Sequence, residues 1–291
     1  MKYLYYPGCS AEATGKAYDI STRALMEKLG VGLVELPDWN CCGATSYFSV
    51  RELDSFAIAA RNMAIAQEMG ESKICVICNA CYTSLAKANR YMADDPHVFE
   101  AVNGALGAVG RKYDGQVKIR HIMDILINDV GLEAIEQRVT RRLTGIRVAP
   151  YYGCQFSRPM GAFDDVQFPT TMDRLFQAMG ADVITDWDAK TDCCGGMMML
   201  TERQGALRLC HELLTAARQY KADVVVAACP LCEMNLEGYQ RQVNKAYGTD
   251  FDIPVMYFTQ LAGLALGADP KQLAIDKQVV SCDPVLAAIP A

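Results

Sequence analysis

The chain of 291 residues is 51% apolar with a net charge of −6, which suits two globular domains of ordinary size and excludes a disordered chain. The acidic balance, without a basic run or a stacking-aromatic motif, argues against general nucleic-acid binding. With no apolar run of ~18 residues to span a membrane, and residues 1–8 too poor in apolar side chains for a signal peptide, a cytoplasmic chain is expected, alone or in a larger complex.

In chain order, the pattern predicts a short aromatic strand over 2–6 that ends at Pro7, Gly8 and Cys9. A helix over 18–29 stops at Gly30. A strand over 32–36 leads through Pro37, Asp38, Trp39 and Asn40 to Cys41, Cys42 and Gly43. A long helix over 51–69 stops at Gly70, and an apolar strand over 73–77 runs into Cys78. Cys81 follows, then a helix over 82–91. Pro96 and the glycine-containing stretch 104–110 read as an irregular connection, and 119–127 as a strand running into a helix.

The second half repeats this order. A strand over 147–152 leads to Gly153 and Cys154, and a helix over 171–179 ends at Gly180. Residues 182–185 lead to Cys193, Cys194 and Gly195. A helix over 202–220 precedes a strand over 223–228 that runs into Cys229. Cys232, a helix over 233–247 and a strand-to-helix passage over 255–265 complete the copy. The expected fold is α/β, in two tandem repeats related by a pseudo-twofold, residues 1–145 and 146–291. Each repeat should be a small, mainly parallel sheet with helices, its cysteines at the carboxyl ends of strands. Those ends share one sheet edge, where ligands bind in α/β proteins. Helix N-termini at that edge favour thiolates and anionic clusters. Gly43 and Gly195 are read as places where the backbone passes close to a bulky metal group.

Ten of the 13 cysteines fall on the repeated template. The gaps are 31 and 35 residues in the first copy and 38 and 34 in the second, and both copies close on Cys-x-x-Cys. Structural disulfides suit small secreted domains, and an odd count of thirteen points instead to metal or redox work. Only His97, His121 and His211 are present, which leaves little room for His-rich sites. Five cysteines exceed the four of a closed zinc tetrahedron or a cubane [4Fe-4S] cluster. The fifth is then a spectator, a redox-active thiol, or a ligand in an opened cluster with a bridging thiolate. Adjacent cysteine side chains diverge, which suits two neighbouring irons better than one zinc ion. Iron–sulfur and zinc both stand at this point. No ferredoxin-type cysteine run is present, so if the sites do redox chemistry their electrons must come from a partner.

Off the template, Cys75 (opposite Val226) and Cys210 (opposite Ile58) read as core packing, and Cys282 as packing or peripheral. His121 reads as a satisfied core histidine. Met197, Met198 and Met199 read as adaptable packing around the second site or as a substrate-facing apolar wall.

Two copies of Cys, Cys-Cys-Gly and Cys-x-x-Cys, without a ferredoxin segment, resemble the HdrB-type subunit of heterodisulfide reductase from methanogenic archaea. Such subunits consist of two CCG, or cysteine-rich, domains, and the resemblance covers nearly the full chain. It implies a noncubane [4Fe-4S] cluster held by Cys9, Cys41, Cys42, Cys78 and Cys81. A second would be held by Cys154, Cys193, Cys194, Cys229 and Cys232. Zinc in one copy is the other assignment. The implied activity is reduction of the coenzyme M–coenzyme B disulfide to two thiols, each cluster taking one sulfur across a shared seam. Implied partners are a ferredoxin-like HdrC-type subunit, a flavin-containing HdrA-type subunit, and a hydrogenase or formate dehydrogenase assembly. CCG domains of thiol:fumarate reductase or of lactate and glycolate oxidation, and a zinc-stabilised scaffold, are the alternatives. An anionic substrate would call for cations near the motifs, with Lys16, Arg51, Arg158, Lys190 and Arg203 as candidates.

Overall fold

The computed structural model describes residues 1–44, 47–156, 158 and 163–290. Eight strands form two four-stranded sheets, parallel throughout. The first contains β1 (Lys2–Tyr6), β2 (Gly32–Glu35), β3 (Lys73–Val76) and β4 (Lys118–His121), in the order β2-β1-β3-β4. The second contains β5 (Arg147–Tyr151), β6 (Asp182–Val183), β7 (Val224–Ala227) and β8 (Val255–Tyr257), in the order β6-β5-β7-β8. The register repeats as well: Val76 pairs with His121 as Ala227 pairs with Tyr257. Parallel strands need crossovers that cover both faces. That is why the central strand β7 is buried at every residue, whereas the edge strand β2 is largely exposed.

The halves share their core. The helix Lys16–Lys28 buries Tyr18, Ser21, Thr22, Leu25 and Met26, a stripe at helical spacing. It packs on the helix Phe258–Ala265 of the other half, where Ser21 Oγ and Thr259 Oγ1 lie 2.6 Å apart. Tyr18 stacks on Tyr257 with ring centroids 4.4 Å apart. Its counterpart contact runs the other way, with Phe163 of the second half stacked on His121 of the first at 5.8 Å. Both large apolar clusters draw residues from both halves, one through Leu4 and Ala149, the other through Tyr5 and Tyr152.

Several elements differ from the sequence expectation. The connection around Pro96 is a helix, Pro96–Gly107, because Asp95 caps it by accepting from the His97 N–H at 2.8 Å and Pro96 takes the first helical position. Its Gly104 and Gly107 face solvent while Val102 and Leu106 are buried. The helix expected over 82–91 is Asn79–Asp94, so Cys81 sits in its first turn. The helix expected over 233–247 is two, Pro230–Glu237 and Gln240–Tyr247. Gly238 and Tyr239 interrupt it, and the Gln240 amide pairs with both the N–H and C=O of Ile253. After β4 the chain continues through Ile122–Asp124 and a wide-turn segment, Ile125–Gly131. Among the described residues, no helix is long and apolar enough to cross a membrane.

Candidate metal centre

In a sheet ordered β2-β1-β3-β4 the chain reverses direction between β1 and β3, which leaves a crevice at their carboxyl ends. Cys9 opens the turn Cys9–Glu12 just after β1, and Cys78 and Cys81 flank the start of the helix that follows β3. Cys154, Cys229 and Cys232 hold the same places after β5 and β7. The adjacent pairs are brought in by buried tyrosines three residues before the first cysteine of each copy. Tyr6 Oη donates to Asn40 O at 2.8 Å, and Tyr151 Oη to Asp192 O at 2.7 Å. The Asn62 side chain adds bonds to Asn40 N at 2.9 Å and Asn40 O at 3.1 Å.

Glycines set the closest approaches. Gly8 has φ 78°, and a Cβ there would lie 3.0 Å from Cys81 Sγ; Gly153, at φ 67°, would meet Cys232 Sγ at 3.1 Å. These residues carry the close approach to the sulfurs that was assigned to Gly43 and Gly195. A Cβ on Gly43 would instead strike Ser55 Oγ at 2.8 Å, and one on Gly195 the Ala206 backbone at 3.0 Å. That pair of glycines lets the Cys-Cys turn lie against the long helix that follows it.

Within the first group, Cys41 lies in hydrogen-bonding reach of Cys9 and Cys42, Cys42 of Cys81, and Cys81 of Cys78. In the second, Cys154 reaches Cys193, Cys232 reaches Cys229, and Cys194 Sγ lies 3.5 Å from Cys232 Sγ. The two groups meet where Cys78 and Cys229 face each other. Above this meeting point, Tyr18 Oη donates to Ile77 O at 2.9 Å and to Ala228 O at 3.3 Å. These are the carbonyls immediately before Cys78 and Cys229. Cys42, Cys78, Cys81, Cys194, Cys229 and Cys232 are buried, whereas Cys9 and Cys193 reach the surface.

Proton sharing favours a thiolate at Cys41, Cys193 and Cys229. Hydrogen bonds from Cys42 and Cys9 pull Cys41 down to about 2, and one from Cys154 pulls Cys193 down to about 6. Cys229 falls well below an ordinary thiol through Cys232 and Cys78, aided by the Cys232 and Leu231 backbone N–H groups. Gly195 N–H and Gly196 N–H donate to Cys193 and Cys194 Sγ, each at 3.4 Å. Among the described residues no three Cys, His, Asp or Glu side chains close on one metal-ion position. The donors are strung as chains of sulfurs, a set that fits a group of several irons better than a single zinc ion.

A cavity of about 280 Å³ opens on the second group: Cys154, Cys193, Cys194, Cys229 and Cys232 line it. Its opposite wall belongs to the first half and includes Asn79, Thr83 and Ser84. Met197 reaches this cavity and Met199 is buried, so the methionine run serves both as wall and as packing. None of Lys16, Arg51, Arg158, Lys190 or Arg203 is among the described lining residues. Lys190 is buried in an ion pair with Asp173 at 2.6 Å, and Asp173 also accepts from Tyr152 Oη. Arg51 pairs with Asp54, Arg158 Nε donates to Val166 O, and Arg203 lies over the Tyr239 ring. Lys16 lines a separate hollow beside Glu233 and Glu237.

Cys75 is buried in β3, and desolvation pushes its thiol up. Cys282 is buried at the start of the helix Asp283–Ala288. Cys210 occupies the place of Ala59, since the two long helices begin at Glu52 and Arg203. Its Sγ donates to Cys194 O at 3.4 Å. His121 is fully buried and desolvation lowers it to about 4; it accepts from the Met123 N–H and contacts Ile77 O at 3.2 Å. Tyr6, Tyr151, Asn79, Ser84 and Asn235 escaped the sequence reading. The shared Tyr-x-Gly-Cys before Cys9 and Cys154, and the polar residue three places after each Cys-x-x-Cys, carry that signal.

The cysteine-rich domain family CCG matches residues 3–86 and 148–237. The B-type subunit of the Ferredoxin/F(420)H(2)-dependent CoB-CoM heterodisulfide reductase of Methanosarcina acetivorans is 32% identical over 96% of this chain and 94% of its own. A protein of Archaeoglobus profundus, described as like the B-type subunit of heterodisulfide reductase, is 31% identical over 94% and 93%. The 8-methylmenaquinol:fumarate reductase membrane anchor subunit of Wolinella succinogenes is 28% identical over 96% and 97%. A crystal structure of a hypothetical protein from Helicobacter pylori shares the fold, with a TM-score of 0.77 at 15% identity over 96% of this chain and 52% of that one.

Proposed function

Since this chain belongs to the CCG cysteine-rich family, among the relatives of the HdrB-type subunit of heterodisulfide reductase, we propose that it is the disulfide-reducing iron–sulfur subunit of a redox complex. The substrate is the mixed disulfide of coenzyme M and coenzyme B, taken with two electrons and two protons to two thiols. Cys9, Cys41, Cys42, Cys78 and Cys81 hold one noncubane [4Fe-4S] cluster in the unit 1–145. Cys154, Cys193, Cys194, Cys229 and Cys232 hold the other in the unit 146–291. When bound, these groups supply one-electron chemistry and iron able to accept sulfur. A ferredoxin-like HdrC-type subunit and a flavin-containing HdrA-type subunit deliver the electrons, within a larger assembly in the cytoplasm.

The chain's own residues bind and shield. Tyr6 and Tyr151 fix the Cys-Cys turns, and Tyr18 ties the carbonyls beside Cys78 and Cys229 together. Burial of the inner cysteines keeps water from them. The observation that carries the reading is the meeting of two complete five-cysteine sets at Cys78 and Cys229, beside a cavity that opens on the second set.

The test is metal and sulfide analysis of protein purified without oxygen, followed by disulfide reduction with a chemical electron donor. A brown protein with about eight irons per chain that consumes the heterodisulfide is expected. A colourless protein with stoichiometric zinc would overturn the reading in favour of a scaffold. The Wolinella relative motivates a second reading, a subunit of a fumarate-reducing complex. Electron transfer from a reduced quinol, with no turnover of the heterodisulfide, would favour it.

A further inference from the structure

The two cysteine groups are built alike but are held differently at one buried position. Three residues after each Cys-x-x-Cys stands a polar side chain, Ser84 in the first half and Asn235 in the second. Ser84 Oγ donates to Cys42 O at 2.6 Å, a single bond to the backbone of the Cys-Cys turn. Asn235 is fully buried, and its Nδ2 lies 3.0 Å from Cys194 O, 3.0 Å from Gly196 O and 3.8 Å from Cys194 Sγ. Two carbonyls fix the amide with nitrogen toward the turn, since the reverse orientation would set oxygen against oxygen. Asn235 Oδ1 has no partner, so the side chain is held entirely through its donor end. The second turn is thus gripped by an amide whose two hydrogens go to carbonyls and reach Cys194 Sγ as the long branch of a shared bond, where the first is gripped by a hydroxyl bonded to a carbonyl.

An N–H directed at a cluster thiolate stabilises the reduced, more negative state and raises the reduction potential. Resting on the iron–sulfur reading above, we infer that Asn235 is a positioning residue that raises the potential of the second site. At the Cys-Cys turn itself the main-chain donors after the pair match, since Gly43 and Ala44 serve Cys41 and Cys42 as Gly195 and Gly196 serve Cys193 and Cys194. Two acidic residues also stand at the second site alone: Asp192 in the place of Asn40, and Glu233 in the place of Tyr82. Asp192 is exposed to screening solvent, and Glu233 is held by Tyr257 Oη and Gln278 Nε2. Asp192 opposes the amide only through screening solvent and the Glu233 carboxyl is satisfied by its own partners, so neither takes over the role of Asn235. The cavity opens on this same group, so the tuned site is the one the substrate meets first.

The experiment exchanges the two side chains in the full-length, cluster-loaded protein. Redox titration followed by electron paramagnetic resonance reads both midpoints, with iron and sulfide content as the loading check. N235S is expected to move one midpoint to lower potential and leave the other in place. S84N is expected to raise the midpoint that N235S leaves alone. An unchanged or raised midpoint in loaded N235S overturns the inference while the iron–sulfur reading stands. If N235S loses its second cluster, S84N decides: a raised first midpoint supports the inference, an unmoved one overturns it. A wild-type protein that takes up no iron fails the functional reading itself.

Discussion

Cys41 and Cys42 show why every member of a sulfur chain matters. Cys41 touches both Cys9 and Cys42, and Cys42 passes the contact on to Cys81. Removing Cys42 therefore breaks the chain in the middle. Cys42→Ser should lose the first cluster, dropping iron to about half and leaving the second site's spectrum intact. Cys75→Ala is the matched control. It lies in β3 with its thiol away from the sulfur chain, so it should keep full iron and cost about 1–3 kcal/mol of packing. Iron analysis and urea unfolding of the two variants side by side check both statements. Equal iron in Cys42→Ser and wild type would refute the five-ligand assignment. Lys190 teaches the complementary lesson: a cation near a cysteine motif in the chain is, in the fold, the buried partner of Asp173.

At the scale of elements, the Cys-Cys turn depends on the helix it rests against. Gly43, at φ 82°, has room for no side chain, because a Cβ would lie 2.8 Å from Ser55 Oγ and 2.9 Å from Ser55 O. Ser55 in turn donates to Gly43 O at 3.0 Å, so turn and helix Glu52–Glu68 lock together. Gly43→Ala must strain the backbone and push the helix away, at roughly 1–3 kcal/mol. The expected result is a lower urea midpoint and faster loss of iron from the first site under a chelator. Wild-type iron retention in this variant would show that the helix does not position the turn. The helix Pro96–Gly107 carries no cysteine, yet it packs on Glu52–Glu68, the helix that holds the turn.

The whole molecule is less divisible than its repeat suggests. Tyr18 bridges carbonyls of both halves, Ser21 meets Thr259, and each large apolar cluster is drawn from both. Residues 1–145 produced alone would expose Tyr18 and Ser21, which now stack on Tyr257 and meet Thr259 of the second half. Each half made separately should aggregate or remain without fixed structure, and the two produced together should recover a soluble pair. Size-exclusion chromatography and near-ultraviolet circular dichroism distinguish these outcomes. A stable, monomeric single half would show that the shared core is dispensable.

The doubled cysteine template, the strand–helix alternation and the positions of β1, β3, β5 and β7 were legible in the chain because they rest on local signals. Hydrophobic period, glycine stops and cysteine spacing act over a few residues, and the repeat reads them twice. The helix at Pro96 was missed because proline at a first helical position looks like a loop residue until its cap is seen. The split between Pro230–Glu237 and Gln240–Tyr247 was hidden because Gln240 finds its partner, Ile253, outside the helix. Only the tertiary structure decided how the halves meet. The contact of Cys78 with Cys229, the Tyr18 bridge and the cavity on the second group join residues distant in the chain. Spacing along a chain limits how far apart two side chains can be, and packing of the shared core decides which of them touch.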